Sequence, residues 1–207
     1  SGRGMCVGLA LPGIKIRIIE SHTEKIKTIT EAKNCKVGEI GEIIVFGDNV
    51  TSRYDENNEA TESAKIVDGD RVWHRMGDLG YQDEQNRLWF CGRKSHCVQS
   101  KYGKFYSVCC EAIFNAHPEV ERSALIRIEK ESESHPALVV DSKKINSSNA
   151  KQIAGELEKL AQAYEHTRAI KTFYCNEAFP VDVRHNAKIN REELSEWAND
   201  QKDLANW

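Results

Sequence analysis

No apolar run in this 207-residue chain approaches the ~18 residues that a membrane-crossing helix needs. An excess of positive charge is also lacking. The formal net charge is −3, so no global basic field draws the chain to nucleic acid or anionic lipid. There is no basic stripe, and the aromatic residues are not interleaved with Lys or Arg, which argues against a nucleic-acid interface. No C-x-x-C occurs. The seven cysteines are odd in number and irregularly spaced, with Cys109 and Cys110 adjacent, so neither a disulfide framework nor a zinc site is expected. Reduced, mostly buried thiols in a cytoplasmic protein are expected instead. His74, His96, His117 and His185 are scattered rather than set at ligand spacing, and no metal site is expected. The opening "SGRGMCVGLALPG" has neither the basic nor the apolar region of a signal peptide, and it starts on Ser rather than Met. It reads as the middle of something longer.

What remains is an ordinary soluble composition, 40% hydrophobic and 29% charged, enough for one large domain or two small ones. In "GIKIRII", Ile14, Ile16 and Ile18 alternate with Lys15 and Arg17, the period of a half-buried strand. "GEIIVFG" is a second strand bounded by glycines. The polar stretch between them reads as a hairpin or loop, and Ala60 to Ala64 as a short helix. "RVWHRMGDLGYQDEQNRLWFCGRK" reads as three strands, with turns at Gly77–Asp78 and Asp83–Asn86. The first half is therefore expected to be all β.

The second half changes character near "CGRKSH". "SVCCEAIFNAH" places Val108, Ala112 and Ile113 on one helical face, with Pro118 as the stop. "SALIRI", "HPALVVD" and "AIKTFYC" read as short strands. Ile153, Leu157, Leu160 and Tyr164 step along one face of the clearest helix. Asn190 and Glu193 form a capping box ahead of a last helix whose apolar side carries Leu194 and Trp197. Just before it lies "FPVDVRHNAKINREEL", where Lys188 stands in a polar, sharply turned segment. Glu111 either anchors this half or faces solvent.

Four segments carry a resemblance. They are "VGEIGEIIVFGDNVTSRYDENNEAT", "WHRMGDLGYQDEQNRLWFCGRKSH", "EAIFNAHPEVERSALI" and "FPVDVRHNAKINREEL", in that order. Each resembles a signature of the adenylate-forming enzymes: acyl-CoA synthetases, luciferases and peptide-synthetase adenylation domains. Three departures from the general pattern are consistent. Met76 stands where Thr or Ser is usual, Ser95–His96 replaces an acidic hinge pair, and "RHNAKI" replaces a Gly-Lys segment. These departures look like the β-lactone synthetases of bacterial long-chain olefin biosynthesis.

The resemblance implies an α+β fold: a β-rich, distorted barrel-like subdomain over residues 1–92, a hinge over 93–95, and a small mixed α/β lid domain over 96–207. It also implies roles. Adenylation joins a carboxylate to the α-phosphate of ATP and expels pyrophosphate, so charge building on phosphate oxygens calls for a mobile cation and Mg²⁺. A ribose diol calls for a carboxylate that accepts from both hydroxyls. By resemblance Asp78 is that carboxylate, Arg93 is the cation beside the ribose, and Lys188 bridges the substrate carboxylate and the α-phosphate. Without the motif, Asp78 would pass as a turn residue. Ser95, or Lys94 beside it, takes the hinge position. Gly103 corresponds to the loop lining the acceptor tunnel of CoA-using relatives, here one residue longer.

The family's phosphate loop, its Mg²⁺-holding Glu segment and most of its acyl pocket have no counterpart in this chain and are expected upstream of it. The resemblance thus implies the C-terminal part of an ATP- and Mg²⁺-dependent enzyme, inactive on its own. That enzyme would activate a 2-alkyl-3-hydroxy fatty acid and close it to a β-lactone, beside other olefin-biosynthesis enzymes. The alternatives are a long-chain fatty acyl-CoA synthetase and a non-catalytic interaction module.

Overall fold

The computed structural model describes residues 2–47, 64–130, 132–182 and 185–207. They form two compact units, Arg3–Ser95 and, with Gly2, His96–Trp207. The helix expected at Ala60 to Ala64 lies outside the described residues, apart from Ala64.

The first unit is a curled antiparallel sheet. Its strands are β1 (Met5–Gly8), β2 (Lys15–Ile19), β3 (Gly41–Phe46), β4 (Lys65–Asp68), β5 (Arg71–Gln82) and β6 (Leu88–Arg93). The order is β1-β6-β5-β3-β2, and β4 also pairs with β5. Ile19, Ile26, Ile44, Ile66 and Trp73 form its core. The alternation expected in β2 is broken, because Ile18 and Ile19 are both buried. The loop after β2 folds back over it, with Cys35 donating to the Ile18 carbonyl at 2.9 Å. Arg17 is not simply a solvated charge either: its guanidinium lies 5.4 Å from the Trp73 ring centre and donates to Asn34.

The turn expected at Gly77–Asp78 is absent, and β5 runs through it for 12 residues. Gly77 has φ +67°, a conformation that costs glycine little. Opposite it the pairing passes from Glu42↔Leu79 to Ile44↔Arg75, so three residues of β5 face one of β3. The glycine makes a bulge, not a reversal. The second expected turn is present: Asn86, at φ +58°, donates to the Asp83 carbonyl at 2.9 Å.

The second unit contains a short hairpin, β7 (Val98–Ser100) with β8 (Gly103–Phe105). Its sheet consists of β9 (Arg122–Lys130), β10 (Glu133–Asp141) and β11 (Phe173–Cys175), in the order β11-β10-β9. The helices are α1 (Ser107–Phe114), α2 (Ala150–Gln162) and α3 (Arg191–Asn199). A second hairpin pairs β12 (Val181–Asp182) with β13 (His185–Ile189).

Both faces of this sheet are covered, and the side chains divide with period two. Leu125, Leu138 and Val140 join Ile113, Phe114, Ile153 and Leu157 of α1 and α2. Ala124, Ile126, Ile128, Ala137 and Val139 join Leu194 and Ala198 of α3. The buried face of α1 is Cys109, Cys110, Ile113 and Phe114, whereas Ala112 is exposed and Val108 half-buried. Small thiols let that face sit close to the sheet. The helix ends at Phe114, before Pro118 is reached. Tyr164 falls beyond the end of α2 and is exposed. The Asn190 cap is as expected: its side chain accepts from the Glu193 amide at 3.3 Å and donates to the Glu193 carboxylate at 3.1 Å.

Candidate functional site

Asp78 and Arg93 are brought together by register. They are cross-strand partners on β5 and β6, and Arg93 Nη1 lies 2.9 Å from Asp78 Oδ1. The next glycine, Gly80, keeps the two strands close there: a Cβ at this position would lie 2.3 Å from the Trp89 carbonyl. The Asp78 side chain is 17% exposed and that of Arg93 55%. Burial pushes the Asp78 carboxyl above its ordinary range, against the opposing charge of Arg93. Asp78 Oδ1 is buried with the Arg93 guanidinium as its charged partner, so the carboxylate keeps acceptor capacity for a further donor. Arg93 Nη1 also donates to the Met76 carbonyl, at 3.3 Å.

A cluster that sequence reasoning missed lies close by along the chain. Glu42 of β3 is buried and holds Arg75 of β5 through two bonds of 3.0 and 2.7 Å. Lys94 Nζ joins the same carboxylate at 2.9 Å and also donates to the His22 carbonyl. Arg75 completes the cluster by donating to the carbonyls of Glu24 and His22, at 3.0 and 2.8 Å. Arg75 precedes Asp78 by three positions and Lys94 follows Arg93 by one, so one buried carboxylate ties down both strands of the Asp78–Arg93 pair. An acidic residue inside the apolar strand "GEIIVF" was the available signal.

The two hinge candidates differ accordingly. Lys94 is fastened to the first unit, whereas Ser95, in the 3₁₀ turn Lys94–His96, is exposed.

Lys188 and Gly103 belong to the second unit. Lys188 sits on β13, not on a turn, and is exposed. The correction is one of pairing, because Val181↔Ile189 and Asp182↔His185 place this segment in an antiparallel hairpin. Directly after Lys188 the chain is fixed. Ile189 packs against the core under α3, and the Asn190 amide donates to the Pro180 carbonyl at 2.8 Å. Gly103, at φ +116°, is exposed and closes the β7–β8 hairpin.

Glu111 is an anchor and does not face solvent. Arg191 Nη1 and Nη2 meet its carboxylate at 2.6 and 3.2 Å, and the Leu125 amide donates to it at 2.7 Å. His117 is buried and joined to Glu156 at 2.9 Å, a structural role. Among the described cysteines, Cys91, Cys109, Cys110 and Cys175 are buried and Cys6 is exposed, and none is joined in a disulfide. Among the described residues no helix is long and apolar enough to cross a membrane. No group of three or more His, Cys, Asp or Glu among them could hold a metal ion, so these residues do not fit a Mg²⁺ site.

No protein-family model matches the chain. It is 40% identical over 208 residues to the olefin beta-lactone synthetase of Xanthomonas campestris pv. campestris, covering 98% of this chain and 37% of that protein. It is 39% identical over 203 residues to the olefin beta-lactone synthetase of Stenotrophomonas maltophilia, covering 96% of this chain and again 37% of the relative. Among solved structures, the O-succinylbenzoate coenzyme A synthetase of Bacillus subtilis in complex with AMP is similar, with a TM-score of 0.72 at 25% identity. That match covers 91% of this chain and 35% of the other. The chain thus spans little more than a third of the length of the curated relatives it matches.

Proposed function

Since the chain belongs to the adenylate-forming enzymes and matches the C-terminal part of olefin beta-lactone synthetases, we propose that it works as part of a longer ATP-dependent enzyme. That enzyme activates a 2-alkyl-3-hydroxy fatty acid as its acyl-adenylate and closes it to a β-lactone. The observation that carries the adenylation half is the Asp78–Arg93 pair. A half-buried carboxylate with acceptor capacity left beyond its arginine, beside an exposed guanidinium, fits a ribose diol next to a phosphate.

Lys188 supplies the positive charge that opposes the one the reaction builds. As the substrate carboxylate attacks the α-phosphate, negative charge grows on the phosphate oxygens, and a lysine ammonium on an exposed hairpin can meet it there. Ser95, beside the anchored Lys94, is the hinge from which residues 96–207 act as a lid, and Gly103 corresponds to the loop lining the acceptor tunnel of CoA-using relatives. In the second step the β-hydroxyl oxygen attacks the acyl carbonyl carbon. A new C–O bond closes the four-membered ring, the acyl–phosphate C–O bond breaks, AMP leaves with the electron pair, and the hydroxyl proton is released. The task there is orientation.

Mg²⁺ supplies phosphate charge neutralisation in this chemistry. It would be held by residues of the longer enzyme outside this chain. The 207 residues alone are inactive. The setting is cytoplasmic, beside the other olefin-biosynthesis enzymes. The reading is tested with the longer enzyme, Mg-ATP and a 2-alkyl-3-hydroxyalkanoic acid, with and without CoA, following AMP and identifying the product by NMR. A β-lactone formed without CoA is expected. A thioester formed only with CoA would move the enzyme to the acyl-CoA synthetases, a reading that the coenzyme A synthetase of similar fold keeps in view.

A further inference from the structure

We propose that the buried Glu111–Arg191 pair is a positioning device that sets where Lys188 can reach. The proposal rests on the adenylation role assigned to Lys188. Arg191 is the first residue of α3 and follows Lys188 by three positions. Glu111 lies 80 positions away, on α1. The helices cover opposite faces of the sheet, yet these two side chains meet at its edge. β9 is the edge strand, and Leu125 turns its amide and carbonyl outward there. Glu111 accepts from the Leu125 amide at 2.7 Å, and Arg191 donates to the Leu125 carbonyl at 3.1 Å. The ion pair therefore takes the place of a missing neighbouring strand and fixes the root of α3 to the sheet.

The consequence falls on Lys188. From Ile189 onward the chain is held by apolar packing, by the Asn190–Pro180 bond and by the Arg191 fork. Lys188 is the exposed residue immediately before that fixed run. Its Cα position is thus dictated from the C-terminal side, and only its stem is left to move.

Stability alone is a poor reason to keep this pair. The side chains are 14% and 12% exposed, and removing two charges from water often costs as much as their attraction returns. Arg191 Nε is buried with no hydrogen-bond partner among the described residues, an uncompensated cost. Burial also pushes the Glu111 carboxyl up, against the Arg191 charge. What the pair provides that an apolar contact would not is a planar, two-point orientation.

The test uses the longer enzyme and ATP–pyrophosphate exchange as the readout of acyl-adenylate formation. Glu111→Gln and Arg191→Lys are each compared in the wild-type and Lys188→Ala backgrounds. Each is expected to lower kcat about 10- to 100-fold, the scale of a displaced catalytic group, with KM for ATP nearly unchanged. In the Lys188→Ala background each is expected to change the rate less than about twofold, because there is no ammonium left to misplace. Full additivity between the two sites would overturn the proposal. A charge-free double variant, Glu111→Leu with Arg191→Met, is expected to fold and to lose exchange. Wild-type exchange in that variant, or its failure to fold, would overturn the positional role. An unchanged rate in Lys188→Ala alone would strike the adenylation reading itself, a separate failure.

Discussion

Asp78 and Lys188 are set in opposite ways. Asp78 lies inside a curled sheet, paired across to Arg93, with a glycine bulge on one side and a buried three-member ion cluster behind both strands. Lys188 stands on a two-stranded hairpin, exposed, directly before the run that fastens it on its C-terminal side. A group that recognises a bound nucleotide gains from being fixed before the ligand arrives. A group needed for one chemical step gains from being able to arrive and leave. Both units hold a carboxylate that is largely removed from water and neutralised by an arginine, Glu42 with Arg75 in the first and Glu111 with Arg191 in the second. In the first, the cluster ties two strands together; in the second, it fixes the start of the helix that follows Lys188.

Breaking the first arrangement should have the largest effect. Glu42→Ala leaves Arg75 and part of Lys94 buried without a counter-charge, and urea unfolding of the 207-residue chain should show a loss of about 3–5 kcal/mol. Next comes Lys188→Ala, expected to slow acyl-adenylate formation in the longer enzyme by about 10²–10³-fold, while the urea midpoint of the chain stays put. Asp78→Asn should weaken nucleotide binding by about 1.5–3 kcal/mol, measured by calorimetry with the longer enzyme.

The same substitution sharpens the contrast through pH. Because burial raises the Asp78 carboxyl, the folded chain holds that proton more tightly than the unfolded chain does. Its contribution is complete below the unfolded carboxylate value and is lost as pH rises through the higher folded value. Asp78→Asn should remove that fall, so thermal melts of variant and wild type should run together near about pH 3 and separate toward about pH 7, where only the wild type has lost the contribution. The smallest effect is expected from Asn190→Ala, about 1 kcal/mol for a lost helix cap, seen as a modest drop in the urea midpoint.

How much of this the sequence discloses depends on distance along the chain. The Asn190–Glu193 box is local, and its residue types name its geometry. The strands around Asp83–Asn86 are likewise legible, because an Asp and an Asn in the left-handed region make a turn. Gly77–Asp78 misleads because the same dipeptide serves a turn or a bulge, and only pairing with β3 decides. Lys188 reads as a turn residue for a related reason: "RHNAKI" has no alternation to betray a strand held by its partner. The Glu42–Arg75–Lys94 cluster and the Glu111–Arg191 pair join residues 33 to 80 positions apart. No local pattern encodes them, beyond an acidic residue placed where the neighbours are apolar.

The most direct measurement sets Asp78→Asn beside Lys188→Ala in steady-state ATP–pyrophosphate exchange by the longer enzyme. The account predicts a raised KM for ATP in the first and a lowered kcat with nearly unchanged KM in the second. The reverse pattern, or equal losses of both kinds in each variant, would contradict the division between a fixed recognition group and a mobile catalytic one.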